Sequence, residues 1–171
     1  MIRGFIAASA DGFVADNEGG VSWLEPFNDV DYGYDLFLSE IEAVVLGRVT
    51  YEQILSFESG WPYPGKRGFI VTSSALDIPF ADVHTWHSGV PALAKELKQK
   101  GLNSWVVGGP KLQTAFIEND LLDRLELFVV PILLGDGIPL YRSTKAMRHL
   151  RLSETQVYGK GLVKLDYRIA L

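Results

Sequence analysis

Short apolar runs alternate along the chain with longer amphipathic stretches, which is the pattern of strands followed by helices. Residues 2–8 are apolar at nearly every position and predict a first strand that is buried on both faces. Similar runs predict four further strands, at residues 44–46, 69–71, 83–86 and 104–107. Turn residues or glycines end most of these runs, so helical connections between the strands are expected.

The stretches between these strands carry apolar residues at helical spacing. Residues 29–42 have this spacing, and Asn28 or Asp29 is suited to cap the start of that helix. Further helices are predicted at residues 50–56, 90–100 and 112–119.

The last part of the chain predicts strands only. Residues 125–134 form a long apolar run, in which Pro131 implies an edge position or a bulge. Residues 150–158 and 161–169 alternate between apolar and polar positions and predict a hairpin. The whole order predicts one three-layer α/β/α domain over residues 1–171, with a mainly parallel sheet and an antiparallel C-terminal edge.

The composition is that of an ordinary globular protein, because 47% of the 171 residues are hydrophobic and 22% are charged. The formal net charge of −5 argues against a nucleic-acid partner, since such binders neutralise phosphates with basic residues. Cysteine is absent, and His84, His87 and His149 lie in no metal-ligand pattern. No stretch approaches the roughly 18 apolar residues of a membrane helix, so we expect a cytoplasmic protein without a metal.

Candidate chemistry begins where the second predicted strand turns through Gly47 into a helix. The first N–H groups of such a helix are unpaired and lie at its partially positive end, which suits an anion. Arg48 adds a planar cationic fork, and Thr50 adds a hydroxyl. The segment predicts either a phosphate clamp for a nucleotide or an ordinary strand–turn–helix corner with a solvated arginine.

Two other strand ends carry groups that suit phosphates. Thr72, Ser73 and Ser74 follow one strand and supply hydroxyls. Gly108 and Gly109 follow another strand and would let the backbone approach a pyrophosphate. Ligands of open α/β sheets bind outside the carboxyl ends of the strands, so these ends and the corner described above predict a dinucleotide site. A G-x-G-x-x-G fingerprint is absent from the sequence, so the site is not an ordinary Rossmann site.

Five segments together resemble a known family: residues 7–13 (AASADGF), 45–52 (VLGRVTYE), 106–109 (VVGG), 121–125 (LLDRL) and 131–137 (PILLGDG). The chain resembles the dihydrofolate reductase superfamily. It resembles more closely the standalone proteins related to the C-terminal reductase domain of the bifunctional riboflavin-biosynthesis deaminase–reductase. This resemblance implies an NADPH-dependent reductase with an eight-stranded sheet and a cis Gly108–Gly109 peptide. It also implies a homodimer, for which we expect the apolar segment 125–141 to form an exposed sheet edge.

The resemblance and the strand ends together imply which residues contact NADPH. They are Ala8, Gly47, Arg48, Thr50, Thr72, Ser73, Ser74, Val107, Gly108, Gly109 and Leu112. Asp11, Trp23 and Asp31 are the candidate catalytic residues, and Asp29 is a further carboxylate near the expected substrate. Each carboxylate also has a structural alternative. Asp11 is suited to close the turn after the first strand, and Asp29 and Asp31 suit a solvated, acidic helix start.

Two positions depart from the patterns of the related families. Asn28 stands where folate-reducing relatives carry an acid, and Val107 stands where riboflavin relatives carry one. The expected substrate is therefore a pteridine- or pyrimidine-like compound without a finer assignment. Two alternatives stay open: an NADPH-binding protein that has lost turnover, and a purely structural domain.

We expect the substrate to lie between three features: Trp23, the helix at residues 29–36 and the Gly108–Gly109 turn. The nicotinamide would lie beneath the substrate, and the glycine-rich loop 16–20 would cover it. Ala7 and Ala8 are small, which leaves room for a ring against the backbone of the first strand.

Overall fold

The computed structural model describes residues 1–57, 60–142 and 146–169. The strands are β1 (Ile2–Ser9), β2 (Phe13–Ala15), β3 (Ala43–Gly47), β4 (Arg67–Val71), β5 (Val83–Trp86), β6 (Ser104–Gly108), β7 (Arg124–Val130), β8 (Ile138–Pro139), β9 (Leu150–Val157) and β10 (Val163–Ile169). The helices are α1 (Tyr34–Glu40), α2 (Arg48–Phe57), α3 (Gly89–Gln99) and α4 (Pro110–Glu118), with short 3-10 helices at Ser22–Phe27 and Gly159–Gly161. Within those three ranges, no helix is long and apolar enough to cross a lipid bilayer.

Eight of the described strands form one sheet in the order β5-β4-β3-β6-β1-β7-β10-β9. β1 runs parallel to β6 and β7, whereas β10 runs antiparallel to both β7 and β9. β2 and β8 pair separately as a small antiparallel ribbon. The predicted fold class is thus confirmed: a mainly parallel eight-stranded sheet with an antiparallel C-terminal hairpin.

Alternation along β1 divides the core between the two faces of the sheet. Ile2 is fully buried on one face, in a cluster with Leu93 of α3 and Phe116 of α4. Phe5 is buried on the other face, in a cluster with Phe37 of α1 and Tyr51 of α2. Each face is therefore closed by two helices, and β1 lies at the centre of both layers.

The helix predicted at residues 29–42 is shorter in the structure, where α1 begins after Gly33. Gly33 has a φ of 81°, a left-handed conformation that glycine adopts without a Cβ penalty. Asp31 Oδ1 accepts a hydrogen bond from the Gly33 amide at 3.0 Å and forms a turn directly before the helix. The prediction that Asn28 or Asp29 caps the helix is therefore wrong.

The apolar run at residues 125–134 also differs from its prediction. β7 ends at Val130, one residue before Pro131, so the proline neither interrupts a ladder nor marks an edge. β7 lies between β1 and β10, inside the sheet, and the predicted edge position is wrong. The open edge at this end of the sheet is β9, in which every residue is exposed. The homodimer stays a prediction.

Candidate active site

The carboxyl ends of β3 and β6 meet at one corner of the sheet. A Cβ atom on Gly47 would lie 3.8 Å from the carbonyl oxygen of Gly108 and from the amide nitrogen of Gly109. Thr50 brings its hydroxyl to the same corner, 3.0 Å from the place that a Cβ atom on Gly109 would take. The Gly108–Gly109 peptide is cis, as the resemblance implied. The predicted convergence of these strand ends is confirmed, and we call this place the strand-end corner.

Arg48 reaches from the strand-end corner to the turn after β4. Its Nη1 donates a hydrogen bond to Ser74 Oγ at 2.6 Å, and its Nε donates to Glu52 Oε1 at 2.8 Å. The Ser74 amide donates to Thr72 Oγ1 at 3.2 Å, and the exposed Ser73 stands between them. The Arg48 side chain is 40% exposed, so an anion can reach the guanidinium from solvent. Sequence reasoning missed Glu52, although a spacing of four residues on a helix brings opposite charges together.

The strand-end corner carries the groups that a pyrophosphate needs. Helices α2 and α4 begin there, at Arg48 and Pro110. The first N–H groups of α2 have no partner inside the helix. In α4, Pro110 has no N–H, and the amides of Leu112 and Gln113 both donate to the Gly109 carbonyl. Apart from Gly108 and its two chain neighbours, no described residue has an atom within 4 Å of the place that a Cβ atom on Gly108 would take. Gly108 has a φ of 137°, which L side chains rarely adopt. The residues present fit a dinucleotide held by backbone amides and the Arg48 fork.

Three of the predicted cofactor residues are more enclosed. Ala8 is 2% exposed and Leu112 is 8% exposed, and the Leu112 amide already donates to the Gly109 carbonyl at 3.0 Å. Val107 is partly buried against the core on the α1 face. Ala8 and Leu112 have little surface to offer a ligand, because sheet and helix packing covers them. The assignment of the eleven residues to a cofactor stays a prediction.

A pocket of about 240 Å³ lies on the α1 face of the sheet. Aromatic rings line it: Phe5, Phe27, Tyr32, Tyr34, Trp105 and Phe128. The Tyr32 and Phe128 rings lie 5.4 Å apart at 64°, and the Trp105 indole N–H donates to the Phe5 carbonyl oxygen at 3.3 Å. Ala7 contributes a small side chain to the wall. We call this space the aromatic pocket, and its flat apolar walls suit a planar ligand.

The aromatic pocket lies near the predicted substrate site but has different walls. The first 3-10 helix contributes Leu24 and Phe27, whereas Trp23 packs into the adjoining core. The Trp23 indole N–H is buried and has no hydrogen-bond partner among the described residues. Trp105 lines the pocket from β6, and the Gly108–Gly109 turn of the same strand does not. Neither Trp23 nor the glycine turn therefore lines the aromatic pocket, and the substrate site expected beside them stays a prediction.

Asp11 holds the turn after β1 against the segment that follows β7. Its carboxylate accepts hydrogen bonds from the Ser9 hydroxyl at 2.6 Å and from the amides of Leu134 and Gly135 at 3.1 and 2.8 Å. The bond from Ser9, followed by those from the two amides, lowers the pKa of Asp11 below its ordinary value of 3.8. Asp11 is thus ionised at neutral pH and is placed as a turn-forming group.

The other two candidate carboxylates also lie outside the aromatic pocket. Asp29 accepts a hydrogen bond from Lys160 Nζ, and this bond lowers the pKa of Asp29. Asp31 is exposed and bonded to the Gly33 amide, and it lines the neighbouring cleft described below. Among the described residues, none of the three predicted proton donors lines the aromatic pocket. The catalytic roles of Asp11, Asp31 and Trp23 stay predictions.

Replacing Asp11 by asparagine should lower the urea midpoint of unfolding at about pH 7, because the carboxylate bonds to Ser9, Leu134 and Gly135 are lost or weakened. A carboxylate with a depressed pKa stabilises the fold at every pH above its ordinary value of 3.8. That contribution disappears as the pH falls through the lower pKa of the folded protein. The difference in urea midpoint between wild type and D11N should therefore become smaller below about pH 4. Urea titrations across this range measure it, and a gap that widens with acid would contradict the assignment.

The glycine-rich loop 16–20 lies against α2. The Gly19 carbonyl accepts a hydrogen bond from Gln53 Nε2, and Asn17 Nδ2 donates to Asp136 Oδ2 at 2.9 Å. No residue of this loop, which the structure describes in full, lines the aromatic pocket. The loop is held by α2 and by the turn at Asp136, away from the aromatic pocket, and its role as a cover of the substrate stays a prediction.

A polar cleft of about 420 Å³ adjoins the aromatic pocket and shares Phe5 and Tyr32 with it. An ion pair lies in its wall, where Arg3 Nε and Nη2 donate to Glu126 Oε2 at 3.2 and 2.7 Å. Arg3 is 5% exposed and Glu126 is 4% exposed. Sequence reasoning missed this pair, although an acid inside the apolar run at residues 125–134 was a signal, since unpaired acids are rarely buried.

Comparison with known proteins gives consistent results. The RibD C-terminal domain family matches residues 64–164. The uncharacterized protein YwjB of Bacillus subtilis (strain 168) is 35% identical over 165 residues, which cover 95% of this chain and 94% of that protein. A solved structure from Shewanella sp. PV-4, named as a candidate riboflavin biosynthesis protein, is 28% identical with a TM-score of 0.89 and covers 99% of both chains.

A more distant structure shares the fold alone. It is the diaminohydroxyphosphoribosylaminopyrimidine deaminase/5-amino-6-(5-phosphoribosylamino)uracil reductase of Thermotoga maritima, with 15% identity and a TM-score of 0.77. The match covers 99% of this chain and 56% of that one, so the present chain corresponds to about half of the bifunctional protein. The family match over residues 64–164 and the 35% identity to YwjB confirm the resemblance. This chain belongs to the RibD C-terminal domain family and has its reductase-like fold.

Proposed function

We propose that this chain is an NADPH-dependent oxidoreductase that transfers hydride to a small, flat heterocycle of the pyrimidine or pteridine type. The observation that carries the proposal lies on β6, which supplies Trp105 to the aromatic pocket and Gly108 to the strand-end corner. These residues are three apart on one strand, which is roughly 10 Å. A site for a planar ring thus lies within reach of a site for a dinucleotide phosphate, and membership of the family supports the same reading.

The protein contributes binding and orientation, while NADPH, when bound, supplies the hydride. The amides at the start of α2 would hold the pyrophosphate, and Arg48 would pair with the 2′-phosphate. The aromatic pocket would hold the acceptor ring. Burial, and then the charge of Asp35, raises the pKa of Tyr32. The Tyr32 phenol is therefore protonated at neutral pH and suited to donate a hydrogen bond to a ring heteroatom.

The experiment that tests this proposal compares the two nicotinamide cofactors. Replacing Arg48 by alanine should weaken NADPH binding about ten-fold or more and leave NADH binding nearly unchanged. The physical reason is that a hydrogen bond from a charged donor to phosphate contributes roughly 1.5–3 kcal/mol. Calorimetric titration with each cofactor measures both affinities.

Two further variants serve as controls. Glu52→Gln removes the carboxylate that shares the Arg48 guanidinium, so NADPH binding should hold or improve. Arg151→Ala makes the same side-chain change as the test variant on the exposed strand β9 and should affect neither cofactor. Equal losses of NADPH and NADH in R48A would show that Arg48 does not read the 2′-phosphate.

The second candidate function is an NADPH-binding protein without turnover. It is favoured by the absence of the three predicted carboxylates from the aromatic pocket, among the residues that the structure describes. NADPH oxidation assayed with dihydropterins, pteridines and aminouracil phosphates separates the two candidates. Thermal stabilisation by NADPH with no turnover on any of these compounds supports the second, since a ligand of the native state raises the midpoint of unfolding.

A further inference from the structure

The polar cleft beside the aromatic pocket is placed to select the substituent of a ring held in that pocket. It lies between α1 and the sheet strands β7 and β10, and it adjoins the aromatic pocket at Phe5 and Tyr32, which line both spaces. Any polar arm that leaves the ring in this direction meets the side chains of the cleft. Their charges therefore bear on which substrates the protein accepts, provided that the proposed reductase function holds.

The two arginines of the cleft are committed to carboxylates. Arg3 donates to Glu126 through Nε and Nη2, and its Nη1 donates to Glu40 Oε2 at 2.5 Å. Arg124 Nε donates to the two carboxylate oxygens of Asp166 at 2.9 and 3.1 Å. The Nε–Nη2 edge of each guanidinium, which could form paired hydrogen bonds to a phosphate, is thus already bonded to a carboxylate.

The remaining charges do not favour an anion either. Lys164 is the third cation of the cleft, and its Nζ lies 3.9 Å from Glu126 Oε1. Asp31 and Glu40 stand in the cleft wall as exposed carboxylates. Among the described residues that line the cleft, these three cations are balanced by three carboxylates, and Asp166 adds a fourth carboxylate that pairs with Arg124. A phosphate dianion in this space would therefore find no net positive charge among the lining residues.

Neutral hydrogen-bonding groups complete the cleft. The Tyr158 hydroxyl donates to Gln156 Oε1 at 2.8 Å, and both side chains line the space. Burial raises the pKa of Tyr158, so the phenol keeps its proton at neutral pH. Such neutral groups donate hydrogen bonds to hydroxyls and amines and accept hydrogen bonds from them, and carboxylates accept hydrogen bonds from both.

We infer that the polar cleft binds an unphosphorylated, hydroxyl- or amine-bearing arm of the substrate and discriminates against the phosphorylated form of the same compound. The inference rests on the proposed function, because it requires a ring in the aromatic pocket. It separates this chain from the Thermotoga protein, whose name contains a phosphoribosylamino uracil. The charges of the cleft determine which substituent is accepted. Because Glu40 accepts a hydrogen bond from Arg3 Nη1, that nitrogen is not available to a phosphate on the arm.

The test uses a matched pair of ligands, 5-amino-6-(ribosylamino)uracil and the same compound phosphorylated at the ribose 5′-hydroxyl. Both are titrated calorimetrically with and without NADPH. We expect the unphosphorylated compound to bind at least ten-fold more tightly. In Glu40→Gln the Arg3 Nη1 loses its charged partner, so the affinity ratio should fall at least three-fold through tighter binding of the phosphate. Glu96→Gln removes a comparable carboxylate, paired with Lys100 on α3 across the sheet, and should leave the ratio unchanged.

Three results would overturn the inference: equal or tighter binding of the phosphate by the wild type, binding of neither compound, or an unchanged ratio in E40Q. These outcomes are distinct from failure of the proposed function. If NADPH binds and the phosphorylated compound is the better substrate, the reductase proposal stands and the role of the cleft is rejected. If NADPH does not bind, the cofactor proposal fails. The titrations without NADPH then still show whether the cleft prefers the unphosphorylated arm.

Discussion

Replacing Arg3 by methionine or Glu126 by leucine should lower the free energy of unfolding by about 3–5 kcal/mol in each case. The two side chains are 6% and 5% exposed and join β1 to β7 through the hydrogen bonds of the Arg3 fork. Removing Arg3 leaves the buried Glu126 carboxylate without its hydrogen-bonded partner, and removing Glu126 leaves the buried Arg3 guanidinium paired with the half-exposed Glu40 carboxylate, at 2.5 Å. In R3M, the nearest cations to Glu126 are Arg124 Nη2 at 3.7 Å and Lys164 Nζ at 3.9 Å. Urea unfolding at neutral pH measures the loss.

The double variant R3M/E126L distinguishes a charge effect from a packing effect. It replaces the buried pair with apolar side chains of similar length, an exchange that is often neutral or stabilising. The double variant should therefore be more stable than either single variant. Lys100→Met breaks an exposed pair with Glu96 and should cost only about 0–1 kcal/mol. If the double variant loses the sum of the two single losses, packing rather than the ion pair holds β1 to β7.

Most strands of the eight-stranded sheet are predictable from the sequence because they are apolar or alternating runs. The ribbon of β2 and β8 is not predictable in this way, because its strands are only three and two residues long. Val83–Trp86 is β5 without change, and the first strand is extended only from residue 8 to Ser9. The start of α1 is not predictable in this way, because it depends on one side-chain bond from Gly33 to Asp31 and on a left-handed glycine. Because such a turn does not alter the amphipathic pattern around it, the pattern alone does not show where the helix begins.

The strand-end corner is predictable for a topological reason. Parallel strands place their carboxyl ends at one side of the sheet, so polar residues and glycines after several strands converge there. Arg48 and Ser74, which are 26 residues apart, are hydrogen-bonded for this reason. The assignment of these groups to NADPH follows from the family resemblance. The contacts within the chain do not specify a cofactor.

The aromatic pocket and the polar cleft are hidden from sequence reasoning for two different reasons. Phe5, Trp105 and Phe128 have the pattern of ordinary core residues and are buried, and periodicity does not show that they also line a pocket. Arg3 and Glu126 are 123 residues apart and meet only because β1 and β7 are neighbours in the sheet. Periodicity assigns a residue to a face, but the neighbour across the sheet is set by the strand order.

Replacing Ala7 by phenylalanine should abolish most turnover while NADPH affinity is kept, if the proposed reductase uses the aromatic pocket. Ala7 lies two residues after Phe5 on β1, so their side chains share one face, and both line the pocket of about 240 Å³. A phenyl ring added there would occupy the space proposed for the acceptor. Because displacing a reacting ring by about 1 Å can cost roughly 10²-fold, we expect at least that loss in turnover.

Ala7→Val and Ala92→Phe make this prediction decisive. Valine adds only two methyl groups and should give an intermediate loss, so the result does not depend on whether A7F folds. Ala92 is exposed on α3, which packs on the opposite face, and A92F adds the same ring without touching the pocket. Rates of NADPH oxidation, NADPH titrations and unfolding midpoints are measured for all three variants. Because only a filled pocket separates A7F from A92F, full turnover in a folded A7F would place the acceptor elsewhere on the protein.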